Sequence, residues 1–260
     1  MRLRDSLWER RETGLPIVVP YLMVDRSRAR SLRRTVRALQ SGGATALELG
    51  FPFSDPIADG PVLERAAGRA LAGGTEWKDL LRACEVASEI LPTAVMTYAN
   101  PVWQAGLRRG LAALSRAGAT GLIVPDLSLE EAGPWSEAAR SHDLDLVLLA
   151  APGSSAGRTR RLARKSRSFL YLVSHYGTTG AARRDPSVDL RSIVATAHRA
   201  APDLPVLVGF GVRDRLSAAR ALSTGADGVV VGTALEERLA DHPSTESLGR
   251  WVRTIASSGA

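Results

Sequence analysis

At 260 residues, with 45% hydrophobic and 23% charged side chains, the chain carries enough apolar residues for a sizeable core, which excludes a disordered or fibrous protein. Its formal charge of +7 rests almost wholly on arginine, since Lys78 and Lys165 are the lysines. These arginines are scattered at helical spacing among 5% aromatics, which argues against a nucleic-acid-binding face. The single Cys84, within LLRACEVASEI, excludes an internal disulfide framework and a cysteine-rich metal site, and no metal is expected.

The first residues, MRLRDSLWERRETG, read as a charged helical lead-in without a signal-peptide core. The apolar run after it, LPIVVPYLMV, is too short to cross a bilayer, so no membrane association and a cytoplasmic protein are expected. Strand patterns then recur at 16–22, 46–50, 93–98, 120–126, 144–150, 168–174, 204–210 and 227–233. Helical patterns lie between them at about 28–41, 61–72, 75–90, 107–117, 129–141, 157–166, 187–200, 214–223 and 233–256. Runs that are apolar on both faces suit parallel strands covered on both sides. No Pro- or Ser-rich linker interrupts the series. The expectation is a single α/β domain over 1–260, a (β/α)8 TIM barrel with an extra N-terminal helix; a doubly wound open sheet is the structural rival.

A barrel carries its chemistry where strands end. Strand 1 ends at Tyr21, strand 2 at Glu48 followed by Asp55 and Asp59, strand 3 at Tyr98 and Asn100, and strand 4 at Asp126. Glycine turns follow strand 6 (SHYGTTG), strand 7 (GFG, 209–211) and strand 8 (VGT, 231–233). Such turns leading into helices suit a phosphate dianion, held by backbone N–H groups that glycine lets come close. Gly180, Gly211, Gly232 and Thr233 are the candidate donors, although each glycine alone could simply make a tight turn. Glu48 is odd in another way, because burial at the end of an apolar strand disfavours its charged form and moves its pKa towards neutrality, as a general acid requires. A buried Glu paired with an arginine is the plainer alternative.

LELGFPFSDPIADGP (47–61) resembles the signature of the tryptophan synthase α subunit family, and YANPV, AGATGLIVPDLSLEE, YLVSHYGTTGA, PVLVGFGV and GADGVVVGTAL follow that family's landmarks in order. The resemblance implies a cofactor-free lyase that splits indole-3-glycerol phosphate into indole and glyceraldehyde 3-phosphate, working with a tryptophan synthase β subunit. It implies Glu48, Asp59 and Tyr171 as catalytic residues, with Asp59 an ionised carboxylate facing the indole N–H. Phe210 joins the phosphate-side residues; Tyr21, Tyr98, Leu122 and Leu149 are pocket walls, with a core role open for the two leucines. Thr179 would lie on a lid over the substrate. Pro52 and Asp55 would lie at the β-subunit interface, unless Asp55 only caps its loop.

Three stretches depart from the family pattern: MVDRS (23–27) lacks the usual glycine and proline, His175 replaces the lid arginine, and PGSS (152–155) replaces a Pro-Thr-Thr turn. A stand-alone indole producer and an ordinary α subunit with a co-evolved partner both accommodate these changes. A non-catalytic subunit that modulates a β-type partner is the alternative from another class.

Overall fold

The computed structural model describes residues 2–173, 186–209, 211–241 and 243–258. Eight parallel strands pair in sequence order, β1 (Ile17–Met23), β2 (Leu47–Gly50), β3 (Thr93–Met96), β4 (Ala119–Ile123), β5 (Asp145–Ala150), β6 (Leu170–Val173), β7 (Val206–Gly209) and β8 (Gly228–Val231). The ring closes where β1 lies against β8, Ile17 opposite Gly228 and Pro20 opposite Val231. A (β/α)8 barrel is therefore the architecture, and the open sheet is excluded.

The strands bury both faces because two separate layers need apolar residues. Ile17, Val19, Tyr21 and Met23 of β1, with Met96, Ile123, Val147, Tyr171, Leu207 and Val230, fill the barrel interior. The alternate residues, among them Val18, Leu22, Leu49, Val95, Leu122 and Val208, form the outer core beneath the helices. Period-two alternation thus decides which layer each side chain enters.

Around the sheet run α1 (Leu3–Glu12), α2 (Ala29–Ser41), α3 (Pro61–Ala72), α4 (Trp77–Ser88), α5 (Ala99–Ala105), α6 (Leu107–Arg116), α7 (Ala132–Arg140), α8 (Ala156–Lys165), α9 (Pro186–Ala200), α10 (Arg215–Leu222), α11 (Thr233–Ala240) and α12 (Thr245–Ala256). The lead-in is the helix α1, and it serves as a floor. Leu3 and Leu7 are fully buried in the interior cluster, and a Cβ on Gly121 of β4 would run into Leu3. Each such leucine contributes roughly 1.5–3 kcal/mol by leaving water.

Two helical expectations change. The span 233–256 is two helices, because Pro243 cannot continue α11 and Ser244 starts α12 by accepting the Ser247 N–H at 3.1 Å. Helix α5 was not expected. Asp126, at the end of β4, accepts the Ala99 N–H at 3.0 Å and so anchors its first turn, and Gly106 at φ +79° ends it.

Candidate active site

In β2, Leu47 and Leu49 belong to the outer core, so alternation turns Glu48 and Gly50 inward. Glu48 pairs in register with Tyr21 of β1 and Ala94 of β3. It is completely buried, and neither carboxyl oxygen has a hydrogen-bond partner among the described residues. Burial, and secondarily the charge of Asp59, pushes its pKa up to about 8. At neutral pH this side chain is therefore mostly a carboxylic acid.

Two tyrosines flank it, each lying over a glycine. A Cβ on Gly50 would collide with the Tyr21 ring, and one on Gly209 with the Tyr171 ring. Glycine at these inward positions of β2 and β7 makes room for the rings. Burial, with Glu48 and Asp59 nearby, moves both phenols well above their ordinary range, so they remain protonated donors. The Tyr21 hydroxyl reaches the Met23 sulfur at 3.7 Å.

Asp59 arrives on the loop between β2 and α3. Tyr98, at the end of β3, accepts the Ala58 N–H at 3.0 Å, and its ring packs on Phe53 with centroids 5.2 Å apart. Burial and the charge of Glu64 raise the Asp59 pKa to about 6, against the pull of a hydrogen bond with Tyr98. Asp59 thus ionises before Glu48. Gly60 and Pro61 then start α3, with proline at a first-turn position where its missing N–H does no harm. On the same loop Asp55 is exposed and accepts a hydrogen bond from Ser54, while Pro52, expected at a partner-facing surface, is buried and borders a hollow beside Phe51 and Trp77. Ile57, which the sequence did not single out, is 79% exposed.

The glycine turns meet the acid in one place. Tyr21, Glu48, Met96, Tyr171, Gly211, Gly232 and Thr233 line a single narrow cavity of about 30 Å³. Gly211 has φ +79°, a conformation that glycine adopts without strain, and Gly232 leads into α11. The first N–H groups of that helix have no partner within it and carry the positive end of its dipole, so they are suited to an anion. A larger hollow, about 960 Å³, lies along α1 beside Trp8, Arg167 and Pro202, and none of the candidate site residues lines it.

Leu122 requires correction. It is fully buried in the outer core, one residue out of phase with the inward Ile123, and is not a wall of this cavity. Phe210, Thr179, Gly180 and His175 lie outside the described residues. Met96, Leu63 and Val212 line the cavity without having been picked out. The alternation in TAVM was the available signal for Met96. The MVDRS segment is ordered by Asp25, which accepts the Ser27 N–H at 2.8 Å, and by Thr75, which accepts the Arg26 N–H at 3.0 Å. In the PGSS turn, Ser155 caps α8 through the Arg158 N–H. Among the described residues no cluster of His, Cys, Asp or Glu could hold a metal ion, and no helix is long and apolar enough to cross a membrane.

The family model described as tryptophan synthase alpha chain matches residues 8–253. A tryptophan synthase alpha chain of Methanosarcina barkeri is 38% identical over 233 residues, covering 90% of this chain and 87% of its own length. One from Synechococcus sp. (strain CC9902) is 41% identical over 232 residues, covering 87% and 84%. A crystal structure of tryptophan synthase from M. tuberculosis superposes with a TM-score of 0.86 at 33% identity, covering 99% of this chain and 98% of that one.

Proposed function

This chain belongs to the tryptophan synthase alpha chain family, and we propose that the cavity around Glu48 is where it cleaves indole-3-glycerol phosphate to indole and glyceraldehyde 3-phosphate. It is a carbon–carbon lyase of tryptophan biosynthesis and associates with a tryptophan synthase β subunit. The observation that carries the site is that a wholly buried carboxyl, without a hydrogen-bond partner among the described residues, opens onto the same cavity as Gly211, Gly232 and Thr233.

The chemistry follows from the two carboxyl groups. Glu48, protonated below about 8, gives its proton to indole C3. Asp59, ionised above about 6, accepts the indole N–H and stabilises the positive charge that develops on the ring. Glu48, now a carboxylate, takes the proton of the side-chain hydroxyl next to the ring. The bond between C3 and that carbon breaks, its electron pair returns to the ring, and the hydroxyl carbon becomes the aldehyde. Glu48 ends protonated, as it began, and no cofactor is required. Tyr171, on the cavity wall with Glu48, faces the reacting side chain of the substrate, and the N-terminus of α11 with Gly211 holds the phosphate.

The whole chain serves as one barrel domain in this reading, and its place is the cytoplasm, where one buried thiol suits a reducing compartment. A purely modulating subunit is not favoured, because it would have no use for a buried acid left unpaired among the described residues. The test is indole release from indole-3-glycerol phosphate by the purified chain, alone and with its β subunit. Turnover in either case supports the reading, and its absence in both overturns it.

A further inference from the structure

Glu236 has no part in the chemistry above, yet it is 1% exposed. A carboxyl group so deeply placed needs hydrogen-bond partners. Its Oε1 accepts the Met23 N–H at 2.8 Å and its Oε2 the Arg28 Nη1 at 2.7 Å. Both partners lie at or just beyond the end of β1, Met23 as its last residue and Arg28 directly after the MVDRS turn. The Glu236 backbone is also engaged, its N–H donating to the Gly232 carbonyl at 3.0 Å. The same residue therefore ties the Gly232 turn through its backbone and the exit of β1 through its side chain.

Packing and polar contacts divide the work in this corner. Ala234 and Leu235, at the start of α11, are buried in the outer core, while a hollow of about 570 Å³ borders the other end of the helix at Leu239. The Glu236 side chain links that buried start to the exit of β1, close to Tyr21, whose Cβ is 3.4 Å from where a Cβ on Gly232 would be.

We propose that Glu236, held by Arg28 and the Met23 N–H, is a positioning residue that sets the N-terminus of α11 as the phosphate-binding part of the site. The inference rests on the proposed phosphate role of Gly232 and Thr233. It predicts an effect on substrate capture and not on the bond-breaking step, because Glu48 and Asp59 are carried on other elements.

The experiment is steady-state cleavage of indole-3-glycerol phosphate by wild type, Glu236→Gln and Glu236→Ala, with thermal melts and a titration of each with inorganic phosphate. The expected result is a KM raised roughly tenfold in Glu236→Ala and about threefold in Glu236→Gln, whose amide oxygen still accepts the Met23 N–H, with kcat within about twofold in both. Phosphate affinity should weaken in the same order. Lower melting temperatures with KM and phosphate affinity unchanged would reduce Glu236 to a structural role and overturn the proposal. If the alanine variant does not fold, Glu236→Gln decides, and a KM indistinguishable from wild type refutes the inference. A wild type that releases no indole defeats the functional reading by itself, and the phosphate titrations then decide the positioning role alone.

Discussion

Asp227 at the bottom of the barrel and Glu48 at its top are carboxyl groups in opposite settings. At the bottom, Asp227 accepts Arg11 Nε at 2.7 Å, the Val206 N–H at 2.7 Å and forms a 2.8 Å hydrogen bond with His198 Nε2. Although burial alone would raise its pKa, these hydrogen bonds and charges outweigh it and hold the group below its ordinary value. Asp145, more deeply buried, has Arg167 and Ser168. At the top, Glu48 has no such partner among the described residues and is pushed up to about 8. One end uses carboxylates to hold the chain together, while the other keeps one in an environment that only proton transfer makes useful. A residue type and its burial therefore do not reveal a role, but the number of donors around it does.

The largest expected effect breaks the top without touching the bottom. Glu48→Gln should lower kcat by roughly 10³-fold with KM nearly unchanged, since it removes the transferable proton and keeps the shape. Steady-state kinetics check it, and turnover near wild type would remove Glu48 from the chemistry. Breaking the bottom should do the reverse. Asp227→Ala leaves the buried Val206 N–H without its acceptor and Arg11 and His198 without their partner, and should cost about 3 kcal/mol in denaturant unfolding. The kcat of the folded fraction should remain that of wild type.

The comparison also has a pH signature. For Glu48, the folded pKa lies above the unfolded value of 4.5, so the native state holds a proton that the unfolded state has released between about 4.5 and 8. Stability on this account falls as pH rises through that window. Glu48→Gln abolishes the penalty, and its gain over wild type should be small near pH 5 and grow to roughly 2 kcal/mol or more by pH 8. For Asp227, whose folded pKa is lowered, the contribution has the opposite sign and is lost as pH falls. The smallest effect is on rate. The profile of kcat/KM should be a bell with limbs near 6 and 8, belonging to the coupled pair of Asp59 and Glu48, and Asp59→Asn should remove the acid limb from whatever activity survives.

Much of the top was legible because its signals are local. LELG places a charged residue in phase with the barrel interior, and the glycines at 211 and 232 stand at strand exits. Leu122 was misplaced because TGLIVPD is apolar on both faces, and such a run carries no phase of its own. Helix α5 was missed because Asn-Pro reads as a turn, and the Asp126 carboxylate that secures its start is 27 residues away. The bottom was not legible, since Arg11 and Asp227 are separated by 216 residues and nothing local in either segment marks the pairing. Glu236 escaped for the same reason, its partner Arg28 being 208 residues distant.

For redesign, the two glycines under the tyrosines behave as apertures. Replacing Tyr21 or Tyr171 by phenylalanine trims one oxygen from the wall. A single methyl at Gly50 or Gly209 would instead evict a whole aromatic ring from its seat. The seats of both rings are therefore set at backbone positions behind the visible lining, and a library that varies only that lining would leave them unsampled.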